Sequence, residues 1–281
     1  MALALATGAC VTASAPAPSY PATSVERLTV HSSALARDMP VLVFRARALD
    51  ATKPFAVLYL FHGYGADESA WFDGYGGDGV HVDGIAQSLI DAGAICPVVI
   101  ASAYIANSYG VDSQPASDQF DHGLFARYLT DELEPSVESA IGYRGGATSR
   151  FVGGLSMGGF AALHLVLSGP ATFAGVGALS PAAFVTTPTD RQWLFDGDPT
   201  SNDPMLLAAT ADVSRLQVFI GYGRTDYGWV QDGAGELSRR LSRDGLRVVP
   251  DVVSGGHDVG TWRQLAGPML EALLGKGCGP A

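Results

Sequence analysis

The chain has 281 residues, 47% hydrophobic and 16% charged, a composition that can bury a large core without metals or disulfides and is too apolar for a disordered segment. Its 17 basic residues face 28 acidic ones, a net charge of −11, and no basic cluster offsets that field locally, which argues against a nucleic-acid partner. No uninterrupted apolar stretch nears the roughly 18 to 20 residues needed to span a bilayer, so no membrane span is expected.

Residues 1–24, "MALALATGACVTASAPAPSYPATS", stand apart from the rest of the chain. They begin apolar, end in Ala, Pro, Ser and Thr, and carry no positive charge, like the back half of a bacterial secretion signal joined to a linker. Cys10, after "ATGA", sits in a loose lipoprotein-type box that would place a lipid anchor there. The expectation is a secreted or envelope-attached bacterial protein; the alternative is an unstructured tail on a cytoplasmic one. Cys96 and Cys278 remain, an even pair that an oxidising compartment could join.

From Val25 to the end, one catalytic domain is expected. "VERLTVHS" and "MPVLVFRA" alternate like paired strands joined by "SALARD", and "FAVLYLFHG" reads as a fully buried strand. A Gly- and Asp-rich loop, "GYGADESAWFDGYGGDG", leads to a helix from about Val82 to Ala92, then to strand "CPVVIASA" and an irregular segment ending near "SQPASDQF". The pattern then repeats: helix "LFARYLTDELEPSVESAI", strand "RFVGGLS", helix "MGGFAALHLVLSG", strand "FAGVGALSP", a long polar insert and strand "LQVFIGYG". Helix "AGELSRRLSRDG", strand "LRVVPDVVS" and helix "TWRQLAGPMLEALLG" complete it. About eight strands alternating with helices predict an α/β fold, a mostly parallel sheet covered on both faces with an antiparallel start.

Gly154-Leu155-Ser156-Met157-Gly158 fits G-x-S-x-G, with an apolar strand running in and an Ala/Leu-rich helix running out. Small residues on either side let strand and helix approach, so a serine oxygen can stand at the carboxyl edge of the sheet as a nucleophile; a plain glycine-rich turn is the alternative. Such a serine needs a base and an acid in the order Ser, acid, His. Of six histidines, His31, His81 and His122 precede the elbow and His164 lies within the helix after it. His257, in "VVSGGHDVGTW", comes after the last predicted strand. The acid belongs after the penultimate strand, where "IGYGRTDYGW" offers Asp226; Asp232 is read as a helix cap and Asp258 adjoins the histidine. The Met157 and Tyr64 backbone N–H groups are the expected oxyanion donors, with His62 and Gly63 shaping the loop at the substrate's edge or simply a turn.

The strand pair "VERLTVHSSALARDMPVLVFRA", the "LFHGYG" loop, "GLSMGG", "GRTD" and "SGGHDVGTW" together resemble the esterase D-type α/β-hydrolases. Relatives in that family include S-formylglutathione hydrolases, feruloyl esterases, enterochelin esterases and actinobacterial mycolyltransferases. The resemblance implies Ser156, Asp226 and His257 as a catalytic triad, with Tyr64 and Met157 as oxyanion donors. It implies a cofactor-free serine carboxylesterase acting on a small-molecule ester with a short-chain acyl or aryl group, and acyl transfer at the cell envelope or a silent binding module are the alternatives. The mycolyltransferases carry an Asp-Gly-Leu type oxyanion loop; His62-Gly63-Tyr64 stands nearer the plain esterases. Trp71, Phe72 and Trp229 would either wall the substrate site or pack in the core. Asp73, Asp78, His81 and Asp83 do not match the spacing of a calcium loop, so no metal is expected. Loops 64–83, 104–120 and 185–205 are expected to build the pocket, and the oligomeric state is left open.

Overall fold

The computed structural model describes residues 20–47, 49–74, 78–169, 171–195, 202–243 and 245–275. Cys10 and Cys278 lie outside them; Cys96 is disulfide-bonded.

Strands β1 (Val25–Ser32) and β2 (Arg37–Arg45) form an antiparallel hairpin whose register runs from Val25 opposite Phe44 to Ser32 opposite Arg37. Met39, Val41 and Val43 alternate toward one face, as a strand period of two requires. The remaining strands are β3 (Ala56–Phe61), β4 (Val98–Ala103), β5 (Arg150–Leu155), β6 (Gly175–Leu179), β7 (Gln217–Gly223) and β8 (Asp251–Val253). They make one sheet in the order β1-β2-β4-β3-β5-β6-β7-β8. β2 alone runs opposite to the other seven strands, so the β1–β2 and β2–β4 pairs are antiparallel and the rest parallel. After β3 the chain steps outward to β4, then crosses back past β3 and advances from β5 to β8. The winding direction therefore reverses between β3 and β5, and the carboxyl ends of those two strands open a crevice.

Helices α1 (Val82–Asp91) and α7 (Val259–Leu274) cover one face, where Ile85, Leu265, Met269 and Leu273 pack on Leu58, Leu60 and Ile100. The other face carries α2 (Phe125–Arg127), α3 (Glu134–Ile141), α4 (Met157–Ser168), α5 (Pro204–Thr210) and α6 (Gly228–Leu241). Helix α4 is buried all round from Met157 to Leu167 because α5 packs on its outer side, which is why "MGGFAALHLVL" lacks an amphipathic stripe.

Three expected elements differ in detail. The helix read over 124–141 is loosened to π geometry at Tyr128–Leu133; Pro135, with no N–H and a ring that crowds the preceding turn, comes directly after. The helix read from Ala234 begins six residues earlier at Gly228, so Asp232 lies inside α6 and is not its cap. The strand read over "LRVVPDVVS" pairs only at Asp251–Val253.

Beneath α3, Glu134 is buried beside Arg150, at 3.4 Å, and its Oε1 has no partner among the described residues. Burial pushes its carboxyl up to about 7, against the pull of the Arg150 guanidinium. The folded chain thus holds this proton more tightly than the unfolded one. The resulting stability is fully present below the unfolded carboxylate value and is lost as pH rises through about 7. Glu134→Gln is expected to flatten that loss by on the order of 2 kcal/mol between about pH 5 and pH 8, read from urea unfolding at both values.

Candidate active site

Ser156 is the single residue between β5 and α4, and its backbone is forced to φ 53°, ψ −114°. The glycines around it explain how this is tolerated. A Cβ on Gly154 would lie 2.0 Å from the Gly158 carbonyl oxygen, and one on Gly158 would lie 2.2 Å from that of Phe61. Strand, turn and helix touch backbone to backbone, and the tight turn points the serine side chain outward. The Ser156 N–H donates to Leu179 O at 2.8 Å and its carbonyl accepts from Ala182 N at 2.9 Å, so neighbouring strand ends hold a conformation that costs about 1 to 3 kcal/mol.

Asp226 stands three residues beyond β7, its N–H closing a turn on Gly223 O at 2.9 Å. His257 is reached from β8 through Gly255, whose φ of 126° only glycine adopts freely. The two loops meet over the end of β5. His257 Nδ1 lies 2.8 Å from Asp226 Oδ1, and His257 Nε2 lies 2.9 Å from Ser156 Oγ. Asp226 is buried and also accepts from the Ser180 hydroxyl at 2.6 Å and from the Tyr227 N–H at 2.7 Å. Burial raises its pKa, but the bonds from His257 and Ser180 outweigh it and hold the carboxyl below the ordinary carboxylate value. A carboxylate on Nδ1 leaves Nε2 free to accept a proton from the serine. Three rings border the imidazole: Tyr227 at 5.1 Å, Trp229 at 5.9 Å and Trp262 edge-on at 5.2 Å. Trp262 also donates its indole N–H to Ser180 Oγ at 3.1 Å.

At the end of β3, His62 is buried. Its Nε2 accepts the Ile105 N–H at 3.1 Å, which leaves Nδ1 to donate to Gly63 O at 2.8 Å. Burial pushes this imidazole below its ordinary pKa, consistent with the neutral tautomer those bonds require. His62 therefore sets the turn and does not line the cavity, a correction to its expected place at the substrate's edge; Gly63 and Tyr64 do line it. The backbone N–H groups of Tyr64 and Met157 take no partner among the described residues, and both residues flank Ser156 across the β3–β5 crevice.

The cavity over Ser156 holds about 430 Å³. Trp229 lines it, together with Tyr109, Phe184, Arg191, Tyr227 and Trp262, none of which the motifs had singled out. They come from loops and helix starts, where sequence pattern carries little information; Ser180 alone offered a signal, a polar residue directly after a buried strand at the same sheet edge. Trp71 is different. It is fully buried on the α1 and α7 side with its indole N–H on Phe61 O at 2.9 Å, so it belongs to the core, as does Phe72. Backbone bonds from Val80, His81 and Val82 to Ala70, Phe72 and Trp71 fold this loop back onto itself and turn the ring inward. Trp71→Ala is expected to cost about 3 to 5 kcal/mol of stability, measured by denaturant midpoint.

The remaining alternatives find other places. Asp258 caps α7, accepting from Thr261 N at 2.9 Å. Asp78 faces Arg263 and Asp83 accepts from the Thr23 hydroxyl. His31 pairs with Asp38, His122 with Asp118, and His164 is buried within α4.

A serine on a strained strand-to-helix turn, at the winding reversal of a mostly parallel eight-stranded sheet with helices on both faces, places the fold among the α/β-hydrolases. The sequence matches the Esterase family, described as "Putative esterase", over residues 32–273, and the chain belongs to that family. It is 29% identical over 155 residues to an endo-1,4-beta-xylanase/feruloyl esterase of Xylanibacter ruminicola, a match covering 53% of this chain and 20% of that protein. An acetyl esterase of Caldicellulosiruptor saccharolyticus is 24% identical over 232 residues, 74% of this chain and 79% of that one. Among solved structures, a ferulic acid esterase superposes with a TM-score of 0.74 at 21% identity, covering 90% of this chain and 98% of that one. The fold and family expected from the motifs are thus the ones found.

Proposed function

We propose that this chain is a serine carboxylesterase that hydrolyses short-chain acyl or aryl esters through an acyl-enzyme. The observation that carries this reading is the unbroken run of hydrogen bonds from Asp226 through His257 to Ser156, at 2.8 and 2.9 Å, opening into a cavity of about 430 Å³. In the proposed cycle, Ser156 Oγ attacks the ester carbonyl as its proton passes to His257 Nε2. The Tyr64 and Met157 N–H groups receive the oxyanion, and His257 returns the proton to the departing alcohol. Water, deprotonated by His257, then attacks the acyl-enzyme; the acid leaves and Ser156 recovers its proton. Asp226 holds Nδ1–H throughout and offsets the imidazolium charge. Membership of the Esterase family and similarity to an acetyl esterase and a feruloyl esterase support the reaction class. The disulfide at Cys96 supports export to an oxidising compartment.

The test is a fluorophosphonate probe followed by peptide mass spectrometry, beside hydrolysis of 4-nitrophenyl esters. A single adduct on Ser156, with hydrolysis lost in proportion, is expected. Labelling at another residue, or active protein that takes no label, would move the nucleophile.

A further inference from the structure

Two walls of the cavity differ in chemistry. The rings of Tyr227, Trp229 and Trp262 surround the His257 imidazole, which in the proposed cycle protonates the leaving alcohol, and this assigns the alcohol part of an ester to their side of the cavity. The other wall is built on Phe120. Tyr64 and Tyr109 meet its ring edge-on at 5.7 and 6.1 Å, and the Arg191 guanidinium lies 5.4 Å from its centre.

We propose that this second wall is a carboxylate receptor, in which Arg191 and Tyr109 select esters whose acyl part ends in a carboxylate. This rests on the esterase reading and names the substrate class for it. The chain carries a net charge of −11, yet the described residues lining the cavity include no Asp or Glu and one permanent cation, Arg191. Its Nε donates to the Tyr109 hydroxyl at 2.8 Å and its Nη1 to Asp190, while Nη2 has no partner among the described residues. The Tyr109 oxygen accepts from Arg191, so its own O–H is left to donate, and no acceptor for it occurs among the described residues. The open Nη2 of the guanidinium and the O–H of the phenol, set in an aromatic wall, offer one donor to each of the two oxygens of a carboxylate. Asp190 takes Nη1 and is the more exposed of the two, 51% against 24% for Arg191, which leaves Nη2 open. Tyr109 itself is buried at a φ of 57°, a strained conformation for an aromatic residue, with its ring held edge-on by Phe160 at 5.3 Å. Tyr109 lies in a loop and Arg191 in a short 3-10 turn over 189–195, and their hydrogen bond and shared contact with Phe120 join the two.

The experiment compares kcat/KM for mono(4-nitrophenyl) adipate and 4-nitrophenyl hexanoate, equal in chain length and differing in the terminal carboxylate. Wild type is expected to favour the adipate ester, and Arg191→Gln to lower the adipate-to-hexanoate ratio about ten- to a hundredfold. Arg191→Lys recovers part of the ratio, and Tyr109→Phe lowers it several-fold. In wild type alone, added KCl lowers the ratio, a readout that does not depend on any variant folding. A ratio that stays within twofold in Arg191→Gln, or a wild type that prefers hexanoate at every salt concentration, overturns the proposal. So does discrimination seen only with 4-carboxyphenyl hexanoate over phenyl hexanoate, where the carboxylate rides on the alcohol. Hydrolysis of the hexanoate ester and its loss in Ser156→Ala report the esterase reading separately.

Discussion

Ser156→Ala is expected to lower kcat/KM for 4-nitrophenyl esters by about 10⁴ to 10⁶-fold while leaving the fold intact. In the proposed cycle the hydroxyl oxygen forms the acyl-enzyme, and His257 Nε2, 2.9 Å away, acts only on its proton. The alanine keeps a Cβ, and therefore keeps the strain of φ 53°. Ser156→Gly separates the two contributions. It is equally inactive, but glycine occupies that conformation without penalty, and a gain in stability of about 1 kcal/mol is expected by thermal unfolding. Hydrolysis within tenfold of wild type in either variant would remove Ser156 from the chemistry. A glycine variant less stable than the alanine one by more than the about 1 kcal/mol that glycine's extra unfolded-state freedom costs would show that the turn is not strained.

Asp226→Asn should lower kcat about 10⁴-fold with little change in KM, since the residue is buried beneath the histidine and away from the cavity lining. The cause is directional. An amide can present its NH₂ to His257 Nδ1, which then becomes the acceptor, and the ring proton moves to Nε2, where it faces Ser156 instead of receiving from it. The variant should also behave differently in acid. The Asp226 carboxyl lies below its ordinary value because the bonds from His257 and Ser180 overcome burial. Its contribution to stability is present above the unfolded carboxylate value and lost as pH falls through the lower folded one, and the asparagine lacks this dependence. A kcat within tenfold of wild type would mean that the ring needs no carboxylate to hold its tautomer.

How each feature is encoded decides whether it could be read from the chain. The buried strands announce themselves as apolar runs, because a parallel sheet covered on both faces leaves no polar alternation in "AVLYLF" or "VVIASA". The elbow is legible because backbone contacts at Gly154 and Gly158 leave room for nothing larger. His257 and Asp226 could be placed because each comes after a later strand, and strand order fixes which sheet edge the next loop reaches. Trp71 shows the limit. A tryptophan in a glycine-rich loop at the active edge has the same local sequence whether it faces substrate or core, and here a carbonyl at the end of β3 captures its N–H. Tyr109 and Arg191 were beyond reach for a related reason. They lie 82 residues apart, one in a loop and the other in a short 3-10 turn, neither with a readable periodicity, and only the folded chain brings their hydrogen bond about. Asp232 was misplaced as a cap because α6 starts at Gly228 with no capping side chain to mark its beginning, whereas Asp258 does cap α7.

The loop bearing Asp226 and the loop bearing His257 are stitched to one another. Arg224 and Thr225 donate backbone N–H bonds to Val253 and Gly255 at 2.8 and 2.9 Å, and Gly223 lies so close to Gly255 that an added Cβ would meet its carbonyl oxygen at 2.4 Å. Beyond them the sheet ends in β8, three residues paired on one side and none fully buried. Ser156, by contrast, is anchored between interior strands. Asp226 is tied in turn to Ser180, directly after β6, and Ser156 donates its N–H to Leu179 at the end of that same strand. Asp226, His257 and Ser156 are thus braced on one another through adjacent strand ends, so their spacing is set by the sheet beneath them.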